Sequence, residues 1–415
     1  MIEVKTKPQP AAPVAAATSA VVDSTAVDST ALPIVIIGSG YAGYGLAEAI
    51  RQRNPETPVV VFTADDGHHY SKPALSNALA RGKGADDLVS ETPLALEQRL
   101  NIRIYARCHV LCIDAENKRL ETDAGTQAYS KLVLALGANP IHLPLAGSGA
   151  EDVLSVNDLQ DYRAMRQRLQ SSTKVTIIGS GLIGCEFAND MALSGYQVDV
   201  IGLADSPMER LLPPEIGLQL QEALQKQGVN WYLGNTAERI DREGDQYRVV
   251  LRDGTERVTD LVISAVGLRP HTELAKAMGA EVNHGIQVNG GMRTSVPDVF
   301  AIGDCVEING QLLPYLAPIN HGIRALADTL LGRPTMVNYP PMPVIVKTPA
   351  LPLTLLVPPQ GMGGIWQVEN EAQGCRAFFL DAAECLQGFV LAGEPVSERQ
   401  FWVDQCGQKL KRSVA

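Results

Sequence analysis

Residues 32–62 read LPIVIIGSGYAGYGLAEAIRQRNPETPVVVF, and this stretch decides the fold. The apolar run Ile34–Ile37 predicts a buried strand, and Val59–Phe62 predicts a second one. Between them lie a G-x-G-x-x-G motif that starts at Gly38 and a helical segment that ends at Arg53. In such a motif the first glycine allows a tight turn, the second lets a pyrophosphate approach the backbone, and the third lets helix and strand pack closely. The stretch therefore predicts a βαβ unit of the kind that binds a nucleotide.

The same pattern occurs a second time in the chain. Val175–Ile178 is followed by Gly179-Ser180-Gly181-Leu182-Ile183-Gly184, by a helical segment to Ser194, and by the apolar run Val198–Ile201. A single motif could be a simple glycine-rich turn, but two copies, each in its own βαβ unit, indicate an internal duplication. Two bound dinucleotides are implied, and a chain that holds both is most simply an oxidoreductase that passes electrons between them.

Three further strands end in glycine, and the third also carries a carboxylate. They are Leu132–Gly137, Leu261–Gly267 and Val299–Gly303, the last followed by Asp304. A carboxylate at the end of a parallel strand points into the crevice where cofactors bind, and it can accept hydrogen bonds from ribitol hydroxyls. The alternative for Asp304 is a turn or a helix cap. A helix is predicted from Pro318 to Leu331, and it would aim its N-terminus at the same crevice.

These elements predict an α/β fold with two Rossmann-like dinucleotide-binding domains and a small C-terminal α+β domain. The last domain is predicted from short strands at Val344–Val346, Leu353–Val357 and Arg376–Leu380. The predicted boundaries are residues 32–149 with 260–335 for the first domain, 150–259 for the second and 336–415 for the third. Residues 1–31 are rich in Ala, Pro, Ser and Thr and predict a disordered tail, with a signal peptide ending near Ala17 as the alternative.

Composition excludes several classes of function. The 415 residues include 35 Lys and Arg against 46 Asp and Glu, for a net charge of −11. Such an acidic chain is a poor nucleic acid binder. No apolar run approaches the roughly 18 residues that an integral membrane segment needs. Seven cysteines, an odd number, do not form a disulfide framework and favour a cytoplasmic location.

The spacing of the cysteines also separates subclasses of reductase. Only Cys108 and Cys112 are close together, in an apolar segment where cysteine is more often a small buried hydrophobe. The sequence therefore predicts no thiol relay. It also contains no Cys-x-x-Cys pair for iron and no other predicted metal ligands.

The acidic residue that normally holds the ribose is missing from both βαβ units. Thr63 follows the second strand of the first unit, and Gly202 follows that of the second. Asp65 and Asp66 either substitute in the first unit or begin a solvated turn. In the second unit the nearest charge is Asp205, which would repel a 2′-phosphate, so NADH is favoured over NADPH.

The two glycine motifs, the strands ending at Gly137 and Gly267, and the motif Thr294-x5-Phe300-Ala-Ile-Gly-Asp304 together resemble the flavoprotein reductases that carry two dinucleotide-binding domains. Within them, three segments are similar to the bacterial NADH–rubredoxin reductases: Tyr70-Ser-Lys-Pro-Ala-Leu-Ser76, Gly181-Leu-Ile-Gly-Cys-Glu-Phe-Ala-Asn-Asp190 and Met342-Pro-Val-Ile-Val-Lys-Thr-Pro349. The resemblance extends from Leu32 over nearly the whole chain. It implies FAD on the Gly38 motif and NAD on the Gly179 motif.

The resemblance also implies an activity, in which NADH reduces FAD and electrons pass one at a time to rubredoxin. Rubredoxin would then supply an alkane hydroxylase or oxidative-stress enzymes. The alternatives are the ferredoxin reductase of a dioxygenase or P450 system and an NADH–quinone reductase.

The implied catalytic residues are Lys347, Glu186 and Lys72. Lys347 lies in an apolar segment where an unpaired charge is costly, so it needs a carboxylate, and Glu186 is the candidate. A purely structural ion pair is the alternative. Val110 and Leu316 would contact adenine and isoalloxazine through their backbone. The full set of implied cofactor-binding residues is Gly38, Ser39, Gly40, Ala42, Gly43, Thr63, Ala64, Lys72, Pro73, Val110, Gly137, Gly179, Gly181, Leu182, Ile183, Gly184, Glu186, Gly267, Gly303, Asp304, Leu316 and Lys347.

Overall fold

A computed structural model of the chain describes residues 31–410. The predicted tail, apart from residue 31, lies outside the described residues. In chain order the α-helices are α1 (Tyr41–Arg53), α2 (Pro93–Leu100), α3 (Leu159–Leu169), α4 (Leu182–Leu193), α5 (Pro214–Lys226), α6 (Glu273–Ala277), α7 (Leu316–Leu330) and α8 (Arg399–Gln405). Short 3₁₀ helices lie at Lys72–Asn77, Asp86–Leu88, Ala150–Asp152 and Glu394–Glu398. Among these described helices, none has the length and apolar character needed to cross a membrane.

The first sheet is parallel and is built around the strand that precedes the first glycine motif. Its strands, in spatial order, are Val299–Ala301, Lys131–Leu134, Ile34–Ile37, Val59–Phe62 and Arg103–Tyr105. All four residues of the central strand are buried, as expected for a parallel strand covered on both faces. The predicted βαβ unit is confirmed at both of its strands and at its helix.

The second sheet repeats this arrangement around the second glycine motif. Its parallel strands, in spatial order, are Val229–Tyr232, Gln197–Ile201, Lys174–Ile178 and Leu261–Ser264. Because Leu261–Ser264 pairs with Lys174–Ile178, the predicted return to the first domain at residue 260 is too early. The chain returns at Leu268–Pro270, which pairs antiparallel with Ala138–Pro140. An apolar run carries no information about which of two similar sheets it will join, and this explains the error.

Smaller sheets extend the two domains. In the first domain, strands Val110–Asp114, Arg119–Thr122 and Gly125–Ala128 form one three-stranded sheet, and Ile286–Val288, Val306–Ile308 and Gln311–Leu312 form another. His69–Tyr70 pairs with Val89–Glu91. In the second domain, Ala237–Glu243, Gln246–Leu251 and Glu256–Thr259 form an antiparallel sheet.

The C-terminal region forms an antiparallel five-stranded sheet with α8 beside it. The strands, in spatial order, are Val344–Val346, Leu353–Leu356, Leu386–Gly393, Gly374–Leu380 and Ile365–Glu371. The predicted α+β character is confirmed. Two strands were not predicted, and one of them, Ile365–Glu371, is a largely exposed edge strand with little apolar alternation. At the helix before this domain, α7 begins two residues earlier than predicted, at Leu316.

Candidate functional site

The first glycine motif forms a loop with one open position. A Cβ atom on Gly38 would lie 2.1 Å from the carbonyl oxygen of Ala135, and Gly38 has a φ of +115°. A Cβ on Gly43 would lie 2.0 Å from the carbonyl oxygen of Gly38. Around Gly40, in contrast, a Cβ would meet no described atom within 4 Å. The outer glycines therefore close the turn against the sheet, and the middle glycine faces open space.

The second glycine motif has the same geometry. A Cβ on Gly179, whose φ is +120°, would lie 2.4 Å from the carbonyl oxygen of Ala265, and one on Gly184 would lie 1.9 Å from that of Gly179. Gly181 faces open space. Neither α1 nor α4 has a side chain that caps its N-terminus, so their first N–H groups are free to bind an anion. Both loops thus fit the pyrophosphate of a dinucleotide.

A hydrogen bond joins the first loop to Thr63, the residue that follows the strand Val59–Phe62. Ser39 donates from its hydroxyl to Oγ1 of the buried Thr63 over 2.8 Å, and Thr63 also accepts from the N–H of Asp65. Asp66 accepts from the N–H of His68 and from the side chain of Gln160, at 3.1 and 2.6 Å. Asp66 therefore stabilises the turn, and a ribose contact from Asp65 or Asp66 stays a prediction. Ala64, also predicted as a cofactor ligand, is exposed directly after Thr63.

Asp304 lies beside the first loop, and its charge and that of Lys72 act on each other. A Cβ on Gly303 would lie 3.0 Å from Cβ of Ala42, which places the segment that precedes Asp304 against the first turn of α1. Burial raises the pKa of Asp304, and the positive charge of Lys72 opposes that shift. Burial likewise lowers the pKa of Lys72, against the attraction of Asp304. Two opposite charges thus share a poorly hydrated region, a setting that suits the polar chain of a bound cofactor.

The remaining residues predicted for the first cofactor, Pro73, Leu316 and Val110, lie on three different elements. Pro73 is in the 3₁₀ helix that Lys72 begins. Leu316 is the partly exposed first residue of α7, directly after Tyr315, and burial raises the pKa of Tyr315. Val110 begins a strand close to Thr63, because the N–H of Cys108 donates to the Thr63 carbonyl over 2.9 Å.

Gly137 and Gly267 lie where the chain crosses between the two dinucleotide-binding domains. The carbonyl of Gly137 accepts from the N–H of His271 at 3.0 Å, and the carbonyl of Gly267 accepts from the N–H of Ile141 at 3.0 Å. The two glycines are therefore parts of the interdomain connection. On the second loop, Leu182 and Ile183 form the first turn of α4.

Glu186 on α4 joins three distant segments. Its side chain is fully buried, with 0% exposure. Its Oε2 accepts from Nζ of Lys347 at 2.5 Å and from the hydroxyl of Ser76 at 2.5 Å, and its Oε1 accepts from the N–H of Lys347 at 2.8 Å. The predicted partnership of Glu186 and Lys347 is present. It links the C-terminal domain to the helix behind the second loop and to the segment that follows Lys72.

Two more polar residues of α4 hold the same segments, and the sequence reasoning missed them. Asn189 accepts from the N–H of Ala350 at 3.1 Å. Asp190 accepts from the N–H groups of Leu79 and Ala80 at 2.9 and 3.0 Å. Burial raises the pKa of Asp190, and those two hydrogen bonds oppose the shift. Their spacing from Glu186, three and four residues along a mostly apolar helix, was the available signal.

The cysteines form no redox pair in the structure. All seven lie in the part of the chain that is described, and all are free. Cys185 and Cys305 are fully buried, and burial raises the pKa of the Cys305 thiol to about 11. Cys108 is buried as expected, but the expectation fails for Cys112, which is exposed. It lies on a short strand whose neighbouring Leu111 is also exposed, so apolar composition alone overstated the burial of this segment.

Two regions of the chain match the profiles of known protein families. The profile of the pyridine nucleotide-disulphide oxidoreductase family matches residues 32–324, and that of the rubredoxin binding C-terminal domain matches residues 336–406. The rubredoxin-NAD(+) reductase of Acinetobacter baylyi is 44% identical over 377 residues, which are 89% of this chain and 96% of that protein. The nitric oxide reductase FlRd-NAD(+) reductase of Aeromonas hydrophila is 42% identical over 365 residues, covering 88% and 94%.

Solved structures show the same architecture. The ferredoxin reductase for the CYP199A2 system from Rhodopseudomonas palustris aligns with a TM-score of 0.82 at 27% identity, covering 90% of this chain and 95% of that one. The reductase of the covalent putidaredoxin reductase–putidaredoxin complex aligns with a TM-score of 0.82 at 25% identity, covering 91% and 94%.

Proposed function

The chain belongs to the pyridine nucleotide-disulphide oxidoreductase family, and on that premise we propose that it is an NADH-dependent FAD reductase that delivers electrons to rubredoxin. The observation that carries this proposal is the contact between Lys347 and Glu186. Lys347 directly follows the first strand of the domain matched as rubredoxin-binding, and Glu186 lies two residues after Gly184 of the second loop. An electron carrier bound to that domain would be close to both dinucleotides.

Each group of residues would have a separate task. The first loop and the N-terminus of α1 would hold the FAD pyrophosphate, and Asp304 would accept from the ribitol hydroxyls. The second loop and α4 would hold NADH. Bound FAD supplies the redox chemistry, because it accepts hydride and releases electrons singly. Lys72 and Lys347 would place positive charge near the flavin ring, and Glu186 would keep Lys347 in place.

We further propose a cytoplasmic location, in keeping with the seven free thiols. Rubredoxin would then pass electrons to an alkane hydroxylase or to an oxidative-stress enzyme. A ferredoxin is the second candidate acceptor, because the fold aligns with the ferredoxin reductase for the CYP199A2 system over 90% of this chain.

Stopped-flow mixing tests the proposal. The holoenzyme is reduced anaerobically with one equivalent of NADH and then mixed in parallel with rubredoxin, a ferredoxin and a soluble quinone. Enzyme reduced with dithionite instead of NADH separates the second half-reaction from the first. We expect fast single-electron transfer to rubredoxin from either reduced form and slow transfer to the other two. Faster transfer to ferredoxin than to rubredoxin would replace the proposal with the second candidate.

A further inference from the structure

The two glycine loops differ in the hydrogen bonding of one serine, and the difference concerns the nucleotide on the second loop. In each motif a serine follows the first glycine, and its side chain lies near the residue that follows the second strand of the βαβ unit. In the first loop the Ser39 hydroxyl is already bonded to Thr63. In the second loop Ser180 as a whole is only 7% exposed, its hydroxyl makes no hydrogen bond to another residue among 31–410, and the hydroxyl oxygen is not one of the fully buried atoms of that range that lack a partner. A hydroxyl that has no protein partner, next to Gly181 with its open space, is available to hydrogen-bond a ligand.

The side chain of Ser180 occupies the space above Gly202. A Cβ atom on Gly202 would lie 2.2 Å from Oγ of Ser180 and 2.6 Å from its Cβ. Rotation of the hydroxyl could relieve the first clash, but only backbone movement could relieve the second. No side chain fits at position 202 while residue 180 is a serine. The two residues are therefore a matched pair.

Position 202 is where a dinucleotide site usually carries its ribose-binding carboxylate. The backbone there is held firmly, because the N–H of Gly202 donates to the carbonyl of Tyr232 at 3.0 Å and the carbonyl of Gly202 accepts from the N–H of Asn235 at 2.9 Å. The nearby Asp205 is exposed. The polar group nearest to the position of the missing carboxylate is then the hydroxyl of Ser180.

We propose that Ser180, made possible by Gly202, is the residue that binds the adenosine ribose of the pyridine nucleotide. This inference rests on the proposed function, which places that nucleotide on the second loop. A hydroxyl recognises the ribose by hydrogen bonding alone. A carboxylate would also repel a 2′-phosphate, so this site discriminates against NADPH less than one with an acidic residue.

Binding of NADH and NADPH to variants of the FAD-loaded enzyme tests the inference. Ser180→Ala removes only the hydroxyl, and we expect the dissociation constant for NADH to rise about two- to tenfold, the value of one hydrogen bond. The rate of flavin reduction at saturating NADH and the flavin spectrum should not change. Ser194→Ala, at the other end of α4, is the matched control and should leave the dissociation constant unchanged. NADH that lacks the adenosine 2′-hydroxyl should bind the wild type more weakly than NADH does, whereas Ser180→Ala should bind the two nucleotides with equal affinity.

A second pair of variants tests the steric match between residues 180 and 202, and it still tests the inference if Ser180→Ala is unstable. Gly202→Asp alone should weaken NADH binding, because the new side chain collides with Ser180. Gly202→Asp combined with Ser180→Gly should restore NADH binding and increase the preference for NADH over NADPH by about tenfold, through repulsion of the 2′-phosphate.

An unchanged NADH affinity in Ser180→Ala, or equal behaviour of the single and double variants at position 202, would overturn the inference. Failure of NADH to bind or reduce the wild type would instead overturn the proposed function.

Discussion

Replacement of Glu186 by glutamine keeps the size of the side chain and removes its charge. The glutamine carbonyl can still accept from the N–H of Lys347, and the Ser76 hydroxyl can turn to accept from the new amide. The ammonium of Lys347 can only donate hydrogen bonds, so it would face the donor N–H groups of the new glutamine amide without a hydrogen bond. Breaking a fully buried ion pair costs about 3–5 kcal/mol. Because the Lys347 side chain is 26% exposed, water screens part of this cost, and we expect a loss of about 2 kcal/mol.

A double-mutant cycle isolates this interaction. The free energy of unfolding of the holoprotein is measured by denaturant titration for the wild type, Glu186→Gln, Lys347→Met and the double variant. Lys347→Met leaves a buried carboxylate without its cation, whereas the double variant has neither charge. We therefore expect the loss in the double variant to be about 2 kcal/mol smaller than the sum of the two single losses. Single losses that add to within about 0.5 kcal/mol would refute the coupling.

The same variants report on the reaction. Lys347→Met should slow flavin reduction by NADH and change the flavin absorbance spectrum, because a positive charge near the ring is lost. Wild-type rates with an unchanged spectrum would remove Lys347 from the candidate catalytic residues and leave the pair a structural one.

Three further predictions concern other parts of the chain. Gly181→Ala should leave the midpoint of thermal unfolding unchanged but weaken NADH binding, since its Cβ enters only the open space of the loop. Gly184→Ala should lower the midpoint of thermal unfolding, because its Cβ meets the backbone, and equal midpoints for the two variants would contradict the loop geometry. Burial would raise the pKa of Asp260, but hydrogen bonds from Gln246 and from backbone N–H groups hold it at about 2. About 1 kcal/mol of stability should therefore be present above pH 4 and be lost as the pH falls towards 2. Asp260→Asn should lack this pH dependence in acid unfolding, and a profile identical to that of the wild type would refute it. Alkylation of the exposed Cys112 should leave NADH-to-rubredoxin rates unchanged, and inactivation would indicate a thiol role.

The sequence contained the local features of the fold but little of its long-range pairing. Both βαβ units follow from neighbouring residues, because apolar runs and glycine spacing act within one unit. The destination of Leu261–Ser264 did not follow, since its apolar run fits either sheet. At the site, Glu186 and Lys347 were paired correctly because a lysine in an apolar segment demands a carboxylate. Ser76 was missed as their third partner because it lies 110 residues before Glu186 and a single serine carries no comparable demand.

The match of Ser180 to Gly202 shows the same limit. The sequence indicates that the ribose carboxylate is absent, but the reason becomes visible only when the space above Gly202 is seen to be filled. Steric exclusion depends on distances of a few ångströms between segments that are 22 residues apart, and composition does not record it.

An anaerobic titration of the purified protein with NADH tests the central claim most directly. Two dinucleotide sites in one chain predict a yellow protein with one FAD per chain, whose flavin absorbance is bleached by one equivalent of NADH. A protein that is colourless after gentle purification and remains so when FAD is supplied, or a bound flavin that NADH does not bleach, would contradict the account.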